Sequence, residues 1–183
     1  RSILADARNP TMQETMNLKI KFRESFRPFA PAVRNEITET YFVLDRPSPY
    51  MLLVAPINER MKHEGFEQKE ELFGLAKLQH IGSKIPAVTH VDYSARIQTV
   101  DSQDNPLFYR LIKTFEEKYG SAVIINTSFN IRGEPIVLTP YDVYLCFMCM
   151  NMDYLMLGTF LLEKKEQLPL DKDIHWLREY ALD

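Results

Sequence analysis

The stretch from Asn126 to Pro135 carries the side chains of this chain that are best suited to bind an anion. It reads Asn-Thr-Ser-Phe-Asn-Ile-Arg-Gly-Glu-Pro and follows a short apolar run at 121–125, which predicts a buried strand. The amides and hydroxyls can donate hydrogen bonds, and the planar guanidinium of Arg132 matches a phosphate or a carboxylate. We therefore expect an anionic ligand here. A polar loop whose Asn and Ser side chains cap their own backbone, with Arg132 in a structural ion pair, explains the same residues.

Three further basic residues are embedded among apolar or turn residues: Lys21, Arg27 and Arg96. Arg27 precedes Pro28, so a rigid turn is expected to present it. Lys21 is expected to end the first helical segment. If these cations and Arg132 converge on one pocket, they suit a ligand with several negative charges, such as a polyphosphate. Each charge-assisted hydrogen bond there would contribute roughly 1.5–3 kcal/mol.

Arg96 has a simpler alternative. It stands mid-strand, so its side chain shares a face with Gln98, and its immediate neighbours point to the opposite face. An arginine on a half-buried strand most often pairs with a carboxylate, and Asp92 and Glu134 are the candidates nearby in sequence.

The stretch at 126–135 resembles the signature of the nodulation-protein and cephem-type O-carbamoyltransferases. Segments 1–6, 26–31, 86–92 and 95–100 resemble that family's C-terminal domain in the same order, so the resemblance runs from Arg1 to about Leu162. It implies that four residues bind carbamoyl phosphate and the ATP phosphates as the catalytic set: Lys21, Arg27, Arg96 and Arg132. The same resemblance implies polar contacts to substrate or nucleotide from Asn126, Thr127, Ser128 and Asn130, with His90 able to orient a ligand or simply to pack half-buried.

In the family that this chain resembles, the domain uses carbamoyl phosphate and ATP, with Mg²⁺ assisting, to make carbamoyl adenylate and pyrophosphate. A larger N-terminal domain of actin-like architecture, which carries an iron site, then passes the carbamoyl group to a hydroxyl acceptor. We expect this chain to be a fragment without that domain, which would be its partner. Two alternatives stay open: a non-catalytic interaction domain, including a homodimer formed through Trp176, Tyr180 and the helix at Pro140, and an RNA-binding domain of the same fold.

Departures from the family pattern concern the surroundings of the site. Tyr93 and Ser94 replace a usual Gly-Thr and are expected to put bulk near Arg96, and Ala7 replaces a common proline. The chain begins after the point where the family carries a further arginine of the site, which is therefore expected to be missing.

Composition sets the class of protein. The chain has 183 residues, 45% of them hydrophobic, which is enough for one domain with an ordinary core. The net charge of −3 argues against nucleic acid as the main partner, and no apolar run is long enough to cross a bilayer. Cys146 and Cys149 lie in an apolar stretch without a second ligand pair, so we expect reduced core thiols, no metal site and a cytoplasmic location.

The elements predict an α/β domain, with α+β as the alternative. Helices are predicted to begin at Asn9-Pro10, Asn105-Pro106 and Thr139-Pro140, and the second to stop at Gly120. Strands are predicted at 50–57, 87–91, 95–100, 122–126, 135–138 and 154–162. The family resemblance implies a YrdC-like twisted mixed sheet with packed helices. We assign this domain to residues 1–163, with a surface insertion at 62–83 and a tail at 164–183 that could dock as a helix.

Overall fold

The computed structural model describes residues 1–63, 82–131 and 133–170. Its strands are β1 (Ser2–Asp6), β2 (Pro31–Arg34), β3 (Leu53–Pro56), β4 (Ser94–Val100), β5 (Val123–Ser128), β6 (Tyr154–Leu157) and β7 (Phe160–Glu163). Its α-helices are α1 (Met12–Met16), α2 (Thr38–Tyr41), α3 (Pro106–Tyr119) and α4 (Pro140–Cys149). A π-helical turn (Asn17–Lys21) extends α1, and 3₁₀ turns lie at Asn35–Ile37, Glu59–Met61, Pro86–Val88 and Lys164–Glu166.

The main sheet is mixed, which confirms the predicted α/β class. Its strand order is β1-β5-β2-β4-β3, with β2 parallel to β4 but antiparallel to β5, and β3 antiparallel to β4. Strands β6 and β7 form a separate antiparallel hairpin. The more specific likeness to the YrdC-like fold stays a prediction.

One half of a sheet face is covered by α3. Ala32 of β2 lies opposite Gln98 of β4 and Ile124 of β5, so these residues point to the same face. Around Ala32 and Ile124 the face is apolar and packs against Ile112 of α3, which is fully buried. Burial of one such side chain contributes roughly 1.5–3 kcal/mol. On the same face, Arg96, Gln98 and Asn126 lie outside the cluster that packs against α3, and we call this polar part of the face its open half.

The predicted ends of α3 are confirmed. Pro106 is its first residue, and the side chain of Asn105 accepts a hydrogen bond from the Phe108 N–H at 3.3 Å. Gly120 ends the helix in the left-handed conformation, with φ 74°. Glycine adopts this conformation without steric cost, so the sequence alone could predict that the helix ends at Gly120.

The other two predicted helix starts differ in outcome. Helix α4 begins at Pro140 as predicted, and Thr139 and Asp142 each bond the other's backbone N–H, which forms a complete capping box. Helix α1 begins at Met12 instead of Pro10. The side chain of Asn9 accepts from the Thr11 N–H at 2.9 Å, so the intervening residues form a turn before the helix.

Two predicted strands are wrong. Residues 87–91 were expected to be extended, but Pro86–Val88 form a 3₁₀ turn, since proline favours the first position of a helical turn. Residues 135–138 form no strand, because the Leu138 N–H bonds the carboxylate of Asp142 and serves the cap of α4.

The remaining strand predictions are right in place but not in length. The segment predicted as one strand at 154–162 divides into β6 and β7 at Gly158, which has φ 61°. The strand expected at 50–57 covers only Leu53–Pro56. Strands β1 and β2 were not predicted, since both are short and β2 begins with a proline.

The bulk expected from Tyr93 is directed toward Gly82. A Cβ atom on Gly82 would lie 2.3 Å from the Tyr93 hydroxyl, so the glycine makes room for the ring. Tyr93 itself has φ 61°, a conformation that costs little for glycine but more for tyrosine.

The chain divides into two compact units. Unit 1 comprises Arg1–Ser2, Thr15–Ser25 and Ser128–Asp183, and unit 2 comprises Ile3–Glu14 and Phe26–Thr127. The main sheet belongs to unit 2 except for the first residue of β1 and the last residue of β5, whereas α4 and the β6–β7 hairpin belong to unit 1. The predicted insertion lies mostly outside the described residues, as does most of the tail with Trp176 and Tyr180.

Candidate functional site

In unit 1 the ammonium of Lys21 is surrounded by oxygen acceptors. Lys21 ends the π-helical turn after α1 and is 4% exposed. Its Nζ donates to the backbone oxygens of Ser128 and Asn130, the latter at 2.8 Å, and to Asn130 Oδ1 at 2.9 Å. The Ser128 hydroxyl donates to the same Oδ1 at 2.5 Å. We call these three residues the Lys21 cluster.

Burial, and next the nearby charge of Arg23, lower the pKa of the Lys21 ammonium to about 8. The oxygens around the ammonium are carbonyl, amide or hydroxyl oxygens and not carboxylates. The positive charge is therefore hydrogen-bonded but not neutralised. It fixes the shape of the segment after β5 and adds positive potential there.

Glu134 contacts the Lys21 cluster and has a buried carboxyl group. Its backbone oxygen accepts from Asn130 Nδ2 at 2.7 Å, which connects it to the Lys21 cluster. The residue is 9% exposed, and its Oε1 has no hydrogen-bond partner among the described residues. Burial raises the pKa of the Glu134 carboxyl to about 7. A carboxyl group in this state exchanges protons near neutral pH.

The two cysteines also lie in unit 1, and the predicted core position is confirmed for Cys146, whereas Cys149 is half-buried. Both are free, and Cys146 is fully buried. Burial, and next the charge of Glu134, raise the pKa of the Cys146 thiol to about 12, so the thiol stays protonated at neutral pH.

In unit 2, Arg96 lies on the open half of the sheet face. Its neighbours Ala95 and Ile97 are buried, while Arg96 is exposed, as the strand alternation predicted. Within the described residues its guanidinium forms no ion pair, and the carboxylate of Asp92 instead accepts from the N–H and the hydroxyl of Ser94. The pairing of Arg96 with Asp92 is therefore not observed, and the guanidinium is available to an anion.

Asn126 lies on the same face and forms a hydrogen bond with Gln98. The strands that carry them, β5 and β4, lie on either side of β2, so their backbones are about 9–10 Å apart. On β2, Ala32 lies opposite Gln98, whereas its partner on β5 is Ile124, so Gln98 and Asn126 meet diagonally across β2. Asn126 Nδ2 donates to Gln98 Oε1 at 2.6 Å, and Asn126 is 8% exposed.

The remaining predicted site residues of unit 2 are His90, Arg27 and Thr127. His90 is half-buried, and burial lowers its pKa, with Asp92 opposing and the charge of Arg96 adding to the effect. Arg27 is exposed and follows a turn whose Phe26 oxygen accepts from Gln13 Nε2 at 2.7 Å. Thr127 is half-buried in β5.

The structure thus brings the predicted residues together in two groups, each described in its own unit. Lys21, Ser128 and Asn130 meet in unit 1, and Arg96 lies near His90 and on the same sheet face as Asn126 in unit 2. Arg132 lies outside the described residues. The predicted roles of all these residues stay predictions.

Comparison with known proteins gives the family. The family model of the carbamoyltransferase C-terminus matches residues 1–164. The chain belongs to this family. It is 54% identical over its full length to an uncharacterized protein of Synechocystis sp., of which it covers 30%. Over 93% of the chain it is 36% identical to the nodulation protein NolNO of Sinorhizobium fredii, covering 23% of that protein. Over 79% of the chain it is 34% identical to the 3'-hydroxymethylcephem-O-carbamoyltransferase of Amycolatopsis lactamdurans, covering 24% of it.

Family membership confirms the resemblance read from the motifs, but the chain spans less than a third of the length of these relatives. Among the described helices, none has the length and apolar character that a membrane crossing requires. Likewise, the described residues contain no group of three or more His, Cys, Asp or Glu placed to hold a metal ion.

Two polar residues at these groups were not among the predicted site residues. Gln98 was recognised only as sharing a face with Arg96, and Glu134 only as a possible ion-pair partner. Their positions in the sequence were informative, since Gln98 follows Arg96 by two residues on a strand and Glu134 lies within the signature stretch. Their hydrogen bonds and burial depend on residues far along the chain.

Proposed function

We propose that this carbamoyltransferase C-terminal domain binds carbamoyl phosphate and ATP and forms carbamoyl adenylate. The observation that carries the proposal is the open half of the sheet face, where Arg96 is exposed, forms no ion pair with any described residue and shares the face with the buried Asn126. A cation without a carboxylate partner and a polar group in a fixed orientation suit a small phosphorylated ligand. The carbamoyltransferase activity in the name of one relative supports the choice of carbamoyl phosphate.

The chemistry needs positive charge more than a nucleophile. In the first step, water hydrolyses carbamoyl phosphate to carbamate and inorganic phosphate. A carbamate oxygen then attacks the α-phosphorus of ATP, the bond from that phosphorus to the bridging oxygen breaks, and pyrophosphate leaves with the electron pair. Both reactants are anions, so Lys21, Arg27, Arg96 and Arg132 would offset their repulsion and stabilise charge on the phosphoryl oxygens.

The proposed polar contacts are Asn126, Thr127, Ser128, Asn130 and His90. Mg²⁺ commonly keeps several waters and binds through nucleotide phosphates, so the absence of a three-ligand acidic group among the described residues is compatible with Mg²⁺ that enters with ATP. The free thiols Cys146 and Cys149 are typical of the reducing cytoplasm, where we expect the protein to act.

Transfer of the carbamoyl group to a hydroxyl acceptor would need more than this domain. The chain covers 23%, 24% and 30% of the three relatives, and the remaining length supports a role for a second, larger domain in that step. We expect any iron requirement to belong to that domain.

Calorimetric titration of the full chain with carbamoyl phosphate and with Mg²⁺–ATP tests the proposal. We expect the Arg96→Gln substitution to raise the Kd for carbamoyl phosphate about tenfold to hundredfold, because one charge-assisted contact is lost. Arg46→Gln is the matched control, since Arg46 is 68% exposed, also lies in unit 2 and pairs with its neighbour Asp45.

Pyrophosphate release that depends on carbamoyl phosphate reports the chemical step. Arg132→Ala should abolish it, and unchanged release would remove Arg132 from the site. A wild-type chain that binds neither ligand contradicts the proposed function.

A second candidate is an interaction domain that pairs with another copy of the chain. Several large apolar side chains of unit 1 are more than half exposed on the β6–β7 hairpin: Tyr154, Met156, Phe160 and Leu161. Light scattering across a concentration series separates the candidates. Dimers without binding of either ligand favour the interaction domain.

A further inference from the structure

The side-chain amides of Gln98 and Asn126 each have one defined orientation. Gln98 Nε2 donates to the backbone oxygen of Pro49 at 3.2 Å, and Gln98 Oε1 accepts from Asn126 Nδ2 at 2.6 Å. A backbone oxygen can only accept, so the nitrogen end of Gln98 must face Pro49 and its oxygen end must face Asn126.

The orientation of the Gln98 amide also determines the orientation of the Asn126 amide. Because Gln98 offers an oxygen, Asn126 must turn its nitrogen toward Gln98, which leaves its Oδ1 facing away from Gln98. Among the described residues the Asn126 side chain bonds only Gln98, through Nδ2, and Oδ1 does not belong to the fully buried unsatisfied atoms, so it is open to a donor from solvent or a ligand. A flipped Asn126 would place two oxygens against each other at hydrogen-bond distance, so the contact with Gln98 holds one orientation.

We infer that Gln98 is a positioning residue that holds Asn126 Oδ1 as the acceptor for the NH₂ group of the carbamoyl moiety. This inference rests on the proposed function and adds the group that distinguishes a carbamoyl phosphate from other acyl phosphates. Asn126 is the residue that contacts the substrate, and Gln98 acts through it.

The physical reason for selectivity is the cost of a buried acceptor without a donor. Acetyl phosphate has the shape and charge of carbamoyl phosphate but carries a methyl group in place of the NH₂. With that ligand bound, Oδ1 of the nearly buried Asn126 would be removed from water without gaining a hydrogen bond. Sites built to bond a polar group of the substrate reject analogues that lack it more strongly than apolar pockets reject a change in size.

The test compares the Kd values of carbamoyl phosphate and acetyl phosphate by calorimetry on the full chain. In the wild type we expect carbamoyl phosphate to bind at least about tenfold more tightly. Gln98→Met removes both polar atoms of the side chain and frees the Asn126 amide to rotate. The ratio of the two Kd values should then fall toward one, mainly because carbamoyl phosphate binds more weakly.

Two further variants keep the test decisive. Gln98→Glu retains an oxygen acceptor for Asn126 Nδ2 but loses the donor to the Pro49 oxygen, so the ratio should fall less than in Gln98→Met even where added negative charge weakens both ligands. Gln103→Met is the control for the change of residue type, because Gln103 is exposed in the same unit. A purely structural role of Gln98 would change both Kd values together and leave their ratio unchanged.

The outcomes separate the inference from the function on which it rests. A wild type that binds neither acyl phosphate overturns the proposed function and the inference with it. A wild type that binds both equally, or a Gln98→Met variant that keeps the wild-type ratio, overturns the inference alone. Loss of the ratio in Gln98→Glu as well as in Gln98→Met also overturns it, since the retained acceptor would then have no effect.

Discussion

Lys21 shows how one residue can serve both structure and charge. Its ammonium donates to the backbone oxygens of Ser128 and Asn130, which lie 107 and 109 residues further along the chain than Lys21. Each of these oxygens would otherwise need another donor, because buried carbonyls without partners cost about 1–3 kcal/mol. Among the described residues, no carboxylate lies within hydrogen-bond distance of this ammonium. Its proposed contribution to anion binding therefore acts at a position fixed by the loop that it stabilises.

Glu134 predicts a pH dependence of stability. Its carboxyl has a pKa of about 7 in the folded protein and an ordinary value of 4.5 when unfolded. Between these values the folded state binds the proton more tightly, so the contribution of Glu134 to the free energy of unfolding is full below pH 4.5 and lost as the pH rises to 7. We expect Glu134→Gln to be more stable than the wild type at pH 8 by on the order of 1 kcal/mol, with the difference shrinking toward pH 5.

Urea unfolding at several pH values measures this difference. Glu166→Gln is the control, because Glu166 is exposed in the same unit. If the free energies of unfolding of the wild type and Glu134→Gln change with pH in parallel, burial does not raise the pKa of the Glu134 carboxyl.

At the scale of elements, α4 is held at both ends by side chains. At its start, Thr139 and Asp142 form the capping box. At its end, Lys164 Nζ donates to the backbone oxygens of Phe147, Met148 and Met150 at 2.6, 2.6 and 2.9 Å. These are oxygens that the last turn of a helix leaves without intrahelical donors, and a positive charge there also interacts favourably with the helix dipole.

Removal of the N-terminal cap should destabilise the chain measurably. We expect Thr139→Ala to lower the free energy of unfolding by about 1 kcal/mol, because the Asp142 N–H loses its acceptor. Thermal or urea denaturation followed by circular dichroism measures the change. Thr159→Ala in the exposed turn between β6 and β7 should have little effect, and an equal loss in both variants would argue against a specific capping contribution.

At the scale of the whole molecule, net charge discriminates between ligand classes. The chain has 22 Lys and Arg against 25 Asp and Glu, which gives a net charge of −3. Binding to a nucleic-acid backbone depends on many basic contacts and is strongly weakened by salt. A small phosphorylated ligand needs only a few local cations, such as Arg96.

We therefore expect no retention of RNA by the chain at about 150 mM salt in a filter-binding assay. A salt titration from low to high concentration provides the comparison. Retention at this salt concentration that falls steeply as salt rises would favour the RNA-binding alternative over the proposed function.

Features that depend on neighbouring residues or on a long motif were predictable without the structure. The ends of α3 and the start of α4 were predicted correctly, since a cap, a proline and a terminal glycine act within one turn of the helix. Family membership also followed from the sequence, because the signature at 126–135 and the other segments occur in the same order. The alternation of faces around Arg96 followed from strand periodicity.

The tertiary structure alone decided the contacts between distant residues. No local pattern predicts that Lys21 bonds Asn130, or that Gln98 reaches across β2 to contact Asn126. Short strands such as β2 form because their neighbours supply hydrogen-bond partners and not because of their own propensity. Local preferences act over a few residues, whereas burial and hydrogen bonding at a site depend on where packing places segments that are tens of residues apart.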